Sequence, residues 1–244
     1  MLPHRDKMAR GMSENPYDIR RSVRARRFCA RVHQDGRVEI VVPRAAPSAL
    51  VHDFIVRHQP WIERRVAHFR ARYVPEVFPP PTLELPALAR RWSIATAANA
   101  AAKSLIVERE PSLLELQHVS LADRDSIRAL LREWLRGVIR KPFEERLSAL
   151  AQAHGFDYRN MQLRWQRSRW GSCSRRGVIS LNACAAFQRA EVLDYLMIHE
   201  LAHTQHMNHS AAYWARVARS CPDWRELDRE LRHGWQHVPQ WIFR

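Results

Sequence analysis

The sequence predicts an α+β fold, with an N-terminal region of strands and helices followed by a largely helical stretch that carries His199, Glu200 and His203. Three observations predict it. Before residue 120 short apolar runs alternate with polar residues, the period of half-buried strands. From Asp123 onward the period changes, and Ile127, Leu130, Leu131, Trp134, Leu135 and Val138 recur at helical spacing. Between 74 and 86 five prolines interrupt both patterns.

Taken in order, residues 1–16 are polar and basic and read as a disordered leader. A hairpin follows, with Phe28, Ala30 and Val32 on one arm, Asp35 and Gly36 at the turn, and Val38, Ile40 and Val42 on the other. Ser48 is the expected cap of a helix carrying Leu50, Phe54 and Ile55, and Pro60 suits the first turn of a second helix reaching about Tyr73. The proline-rich stretch 74–86 reads as a stiff linker. Strands are expected near 92–96, 104–108 and 113–119, with an Ala-rich piece of ambiguous type between the first two. Residues 17–120 thus form an N-terminal region and 121–244 a second domain. That domain opens on a helix capped by Asp123 or Asp125, broken or kinked at Pro142 and ended by Gly155. Strands near 161–166 and 177–182 and helices over 190–206, 210–220 and 224–232 complete it.

Bulk composition bounds the function. Hydrophobic residues make up 46% of the 244, enough for a sizeable core. Seven glycines, no Walker-type loop and no Asp-rich magnesium site argue against a phosphate-cradling architecture. Cys29, Cys173, Cys184 and Cys221 form no CxxC pair, as expected of free thiols in a reducing compartment. With no apolar leader and no membrane-length apolar run, the expected location is cytoplasmic, away from the membrane. The excess of 40 Lys and Arg over 25 Asp and Glu favours encounter with polyanions, nucleic acid among them, but a compositional bias is the simpler reading, since the excess is spread along the chain and most of it is Arg.

The chemistry concentrates at His199-Glu200-Leu201-Ala202-His203. Two histidines four apart on a helix project from one face, where both can bind one zinc ion. Glu200 between them can reach a metal-bound water rather than the metal. For the third ligand His209 ranks first, Glu226 second and His206 third, by ligand type and reach. Cys173, with no paired thiol, reads as a small buried residue.

Four pieces carry a resemblance: Arg169-Trp170-Gly171-Ser172-Cys173-Ser174, Ile179-Ser180-Leu181-Asn182, the His199–His203 helix, and Asn208-His209-Ser210 with Tyr213-Trp214. In order and spacing they resemble the YgjP-like metallopeptidases, relatives of the SprT zincins. The resemblance implies a zincin-like α+β catalytic domain, its His199–His203 helix packed on a small, mostly antiparallel sheet, with His199, His203 and His209 as ligands of one zinc ion and Glu200 as general base. It supports His209 over Glu226. The function expected is hydrolysis of peptide bonds in a peptide or protein substrate by Glu-assisted attack of zinc-bound water. A metal-dependent nucleotide phosphoanhydride hydrolase and a nucleic-acid-associated protein with a structural zinc are the alternatives. Arg169 and Tyr213 are candidate donors to the oxyanion, and Arg169 has a second reading as a structural ion-pair partner. Strand 177–182 is a candidate edge for an extended peptide.

Overall fold

The computed structural model describes residues 17–243 apart from 34–35, 72–76, 98–103, 110–111, 118–119 and 121. The leader, Asp35 and the Ala-rich piece therefore lie outside the described residues. The chain divides into two compact units, up to Pro75 and from Glu76.

In the first unit β2 (Cys29–Val32) and β3 (Val38–Pro43) form the expected hairpin, with Ala30 opposite Ile40 and Val32 opposite Val38. Gly36 supplies the left-handed turn at φ +79°. β1 (Asp18–Ser22), not foreseen, adds to the other side of β3 in parallel. One helix, α1 (Ser48–Arg70), covers this sheet with Val51, Ile55 and Ile62. Two helices were expected, with Ser48 as a cap. Instead Pro47 precedes the helix without a side-chain cap, and Pro60 lies inside it. The carbonyl that Pro60 cannot serve belongs to Val56, which is exposed and open to water. Ile55 and Ile62, on either side of the proline, bury against the same core and hold the helix through it.

The second unit opens with a four-stranded sheet in the order β4 (Thr82–Leu85), β5 (Arg90–Ala97), β7 (Leu113–Gln117), β6 (Leu105–Arg109). β4 lies inside the stretch read as linker. α2 (Arg124–His154) is capped by Asp123, whose side chain accepts from the Ser126 amide at 3.1 Å, and ends on left-handed Gly155. It runs unbroken through Pro142. Ile127, Leu131, Leu135, Ile139, Phe143 and Leu147 are buried at four-residue intervals on both sides of it, so packing outweighs the lost hydrogen bond. Leu83, Trp92, Leu114 and Leu116 from the sheet share one core with α2. The packing break thus falls at Pro75 and Glu76 rather than near 120, because the 82–117 strands have their apolar partners in the helix that follows.

Beyond α2 lies a three-stranded sheet in the order β8 (Asn160–Arg164), β10 (Val178–Asn182), β9 (Gly171–Cys173). β10 pairs with β8 in parallel and with β9 antiparallel, so the sheet is mixed. Three helices close the unit: α3 (Ala190–Ala202), α4 (Ala211–Ser220) and α5 (Trp224–His233). The fold class is α+β. No described helix is long and apolar enough to cross a membrane.

Candidate metal centre

α3 is apolar nearly all round, and Val192, Leu193, Leu196, Met197, Ile198 and Leu201 are buried. It stops at Ala202, four residues short of the expected end, and leaves His203 at its C-terminal cap. The amides of Gln205 and His206 fold back on the Ala202 carbonyl, at 3.1 and 3.0 Å. The chain thereby reverses toward Ser210, which caps α4 by accepting from the Tyr213 amide at 3.3 Å. His209 lies in this return, and its ring stacks on Trp214 with centroids 5.5 Å apart.

The result is convergence. One nitrogen each of His199, His203 and His209 lies within 4.8 Å of the other two, and the Nε2 atoms of His199 and His209 are 3.3 Å apart. His206 and Glu226 are not in this group. The far nitrogens fix the tautomers. His203 Nδ1 meets the His206 carbonyl at 3.1 Å and must donate to it, which bares Nε2. Tyr195 donates its one hydroxyl hydrogen to Asp228 Oδ1 at 2.8 Å, so toward His199 Nδ1, 3.3 Å away, it can only accept. His199 Nδ1 then carries the proton and Nε2 is bare. Arg232 pairs with Asp228 and completes the chain.

Electrostatics agree. Burial, with His203 and His209 adding to it against Asp228, pushes His199 down to about 4. Burial also lowers His203, against the His206 carbonyl. Neutral imidazoles at His199 and His203, each with a bare Nε2 and gathered with His209, fit a metal ion. Among the described residues the group numbers three, the count a catalytic site uses.

Glu200 is 4% exposed, and its Oε2 has no hydrogen-bond partner. Burial pushes its carboxyl up to about 8, with Arg169 pulling the other way. A buried carboxylate oxygen left unpaired is costly and calls for a group to interact with. Gly171 on β9 makes room for it. A Cβ there would stand 2.5 Å from Glu200 Oε1 and 2.8 Å from its Cδ.

The two expected oxyanion donors fare differently. Arg169 is exposed on the loop before β9, close enough to Glu200 to act on its charge. Asn182, fully buried, pins this loop by donating to the carbonyls of Gln166 and Arg169, both at 2.8 Å. Tyr213 is also fully buried, and its hydroxyl donates to the His199 carbonyl at 3.0 Å. Its ring stacks on His203 at 4.6 Å. The structure therefore gives Tyr213 a buttressing place behind His199 and His203, because its hydrogen is already committed. Cys173 is half-buried, and burial followed by the Glu200 charge raises its thiol to about 11, which argues against a thiolate nucleophile. The 177–182 strand is central rather than an edge, and the edge beside Glu200 is β9.

Sequence reasoning missed Tyr195 and Asp228 as supports and Gly171 as a cradle. Tyr195 lies one helical turn before His199 and was open to the i, i+4 argument. Asp228, on another helix, gave no signal.

The family model for the YgjP-like metallopeptidase domain matches residues 26–234, most of the chain. Among solved structures, the metallopeptidase zymogen abylysin of Pyrococcus abyssi is 23% identical, with a TM-score of 0.36 over 38% of this chain and 95% of its own. The zymogen jannalysin of Methanocaldococcus jannaschii is 16% identical, with a TM-score of 0.34 over 38% and 96%. Both likenesses are too slight to carry an argument. No curated protein matches this chain.

Proposed function

The chain belongs to the YgjP-like metallopeptidase family, and from that premise we propose that it is a zinc-dependent peptidase whose ion is held by His199, His203 and His209. The observation that carries the reading is the meeting of three imidazoles beside an unpaired buried carboxyl group. A bound zinc ion supplies Lewis acidity, lowering the pKa of water toward about 7 and polarising a carbonyl.

The chain's own residues supply the rest. Glu200 accepts the proton of the attacking water and passes it to the leaving amine. Its carboxyl stands near 8 in the chain alone, and a cation among the imidazoles pulls it down toward the charged form a base requires. Arg169 is the exposed cation beside Glu200 and the candidate donor to the developing oxyanion. Among the described residues β9 pairs with β10 alone, and its other edge offers backbone groups to an extended peptide next to Glu200.

Glu200→Gln tests the assignment. The variant should keep its zinc and lose peptidase activity by about 100-fold or more, since general-base assistance contributes roughly 10²–10⁴-fold. Peptide cleavage at the wild-type rate by the zinc-loaded variant would refute the role of Glu200.

A further inference from the structure

One feature of α2 plays no part in the metal centre. Arg124, Arg128, Arg132, Arg136 and Arg140 recur at every fourth residue. On a helix this spacing makes a continuous ridge, each step rising about 6 Å and turning about 40°. The ridge runs beside the buried row Ile127, Leu131, Leu135 and Ile139, one residue ahead of each arginine. The packing of that row therefore holds the arginines in register. Arg128, Arg132 and Arg136 are half-buried and Arg124 and Arg140 exposed, so the stems lie along the core while the heads reach water.

The row is braced by aromatic rings. Arg132 lies over Trp165 at 5.0 Å and Arg124 over Phe78 at 4.9 Å. Arg167, from the loop that leads to β9, joins the group over Phe243 at 5.0 Å. Arg128 and Arg167 also donate to the backbone carbonyls of Trp241 and Phe243. These contacts orient the guanidinium forks and leave their charge uncancelled, because a carbonyl or a ring carries none. The carboxylates paired with the row are Asp125 at Arg128 and Glu144 at Arg140, near its two ends. Arg132 and Arg136 have no ion pair among the described residues. Arg132 is held below its ordinary pKa first by burial and then, against Cys184, by Arg136, Arg128 and Arg167. The middle of the ridge is thus a pre-organised, like-charged row lacking its anions.

We infer that the α2 arginine ridge, extended by Arg167, is a binding surface for the phosphate backbone of a nucleic acid. Regular steps of about 6 Å suit a polymer whose charges are themselves regular, more than the irregular carboxylates of an acidic protein. Planar forks braced on rings match phosphate oxygens in pairs. This surface is independent of the peptidase reading.

The test is fluorescence anisotropy of a labelled 20-nucleotide DNA, single-stranded and duplex, titrated with the full chain from 50 to 300 mM salt. Wild type should bind with an affinity that falls steeply with salt. Arg132→Gln/Arg136→Gln should weaken binding at least tenfold at low salt and reduce the log–log salt slope by about 1.4–1.8, two contacts at roughly 0.7–0.9 each. Arg132→Lys/Arg136→Lys should restore most of the slope. Arg225→Gln/Arg229→Gln, the same change of net charge on α5, should leave the slope close to wild type. Arg136→Gln alone, which removes no ring contact or hydrogen bond among the described residues, serves if the double variant fails to fold, and should lower the slope by half as much. The inference is overturned if the α2 and α5 variants bind alike. It is also overturned if polyglutamate displaces the DNA at equal charge concentration, or if anionic vesicles bind and DNA does not.

Discussion

His199 shows how a proposed ligand is prepared before any ion arrives. Its proton sits on Nδ1 because the only hydrogen of Tyr195 goes to Asp228. Supports of this kind are worth about 10–100-fold in metal affinity. Tyr195→Phe and Asp228→Asn should each weaken zinc binding within that range, measured by competition with a chromophoric chelator. In ¹⁵N NMR of the metal-free protein the His199 Nδ1–H signal should weaken in both variants and persist in Tyr213→Phe, whose hydroxyl touches only the backbone. Unchanged affinity and tautomer would remove the relay. Gly171 offers a second test at the same scale. An added methyl would stand 2.5 Å from Glu200 Oε1, so Gly171→Ala should displace the carboxylate. Peptidase activity should fall tenfold or more while zinc content stays at the wild-type level. Loss of zinc together with activity would place Gly171 in the fold rather than behind the base.

Single elements follow burial more closely than local propensity. Ser48 and Pro60 suggest two helices and Pro142 a break, yet α1 and α2 each run through their proline because apolar rows continue on either side. The short edge β9 has three residues, too few for a period to show, and only pairing with Ile179–Leu181 defines it. By contrast the hairpin of the first unit was legible, since alternation and the Asp35-Gly36 turn are both local. Its stability carries a pH signature. Burial raises the Glu39 carboxyl, but the hydrogen bond and charge of Arg20, with Arg31 and His33, outweigh it and leave the pKa below 4.5. A lowered carboxylate pKa stabilises the fold above the unfolded value near 4.5, and that contribution disappears as pH falls through the folded pKa. Wild type should therefore lose more stability than Glu39→Gln between pH 6 and pH 3, read as the denaturant midpoint of the first unit. Equal losses would show that the pair contributes nothing there.

Across the whole molecule, what could be read from sequence divides by distance along the chain. The His199–His203 pair was legible because four residues on a helix fix its geometry, and His209 because the reversal after it is short. The Asp228 support, the parallel pairing of β8 with β10, and the union of the 82–117 strands with α2 join residues far apart, and no local pattern announces them. The Tyr213 hydroxyl looked free for chemistry because its acceptor is a backbone atom, which a sequence does not display. Pinned loop, buried helix and chain reversal together bring the three imidazoles and Glu200 to one place.

Metal content per chain, determined by mass spectrometry on purified protein, tests that convergence most directly. Wild type and Glu226→Ala should each hold one zinc ion per chain, and His209→Ala should retain far less after dialysis against a mild chelator. A full complement of zinc in His209→Ala, or a wild-type protein that takes up none, would contradict the account.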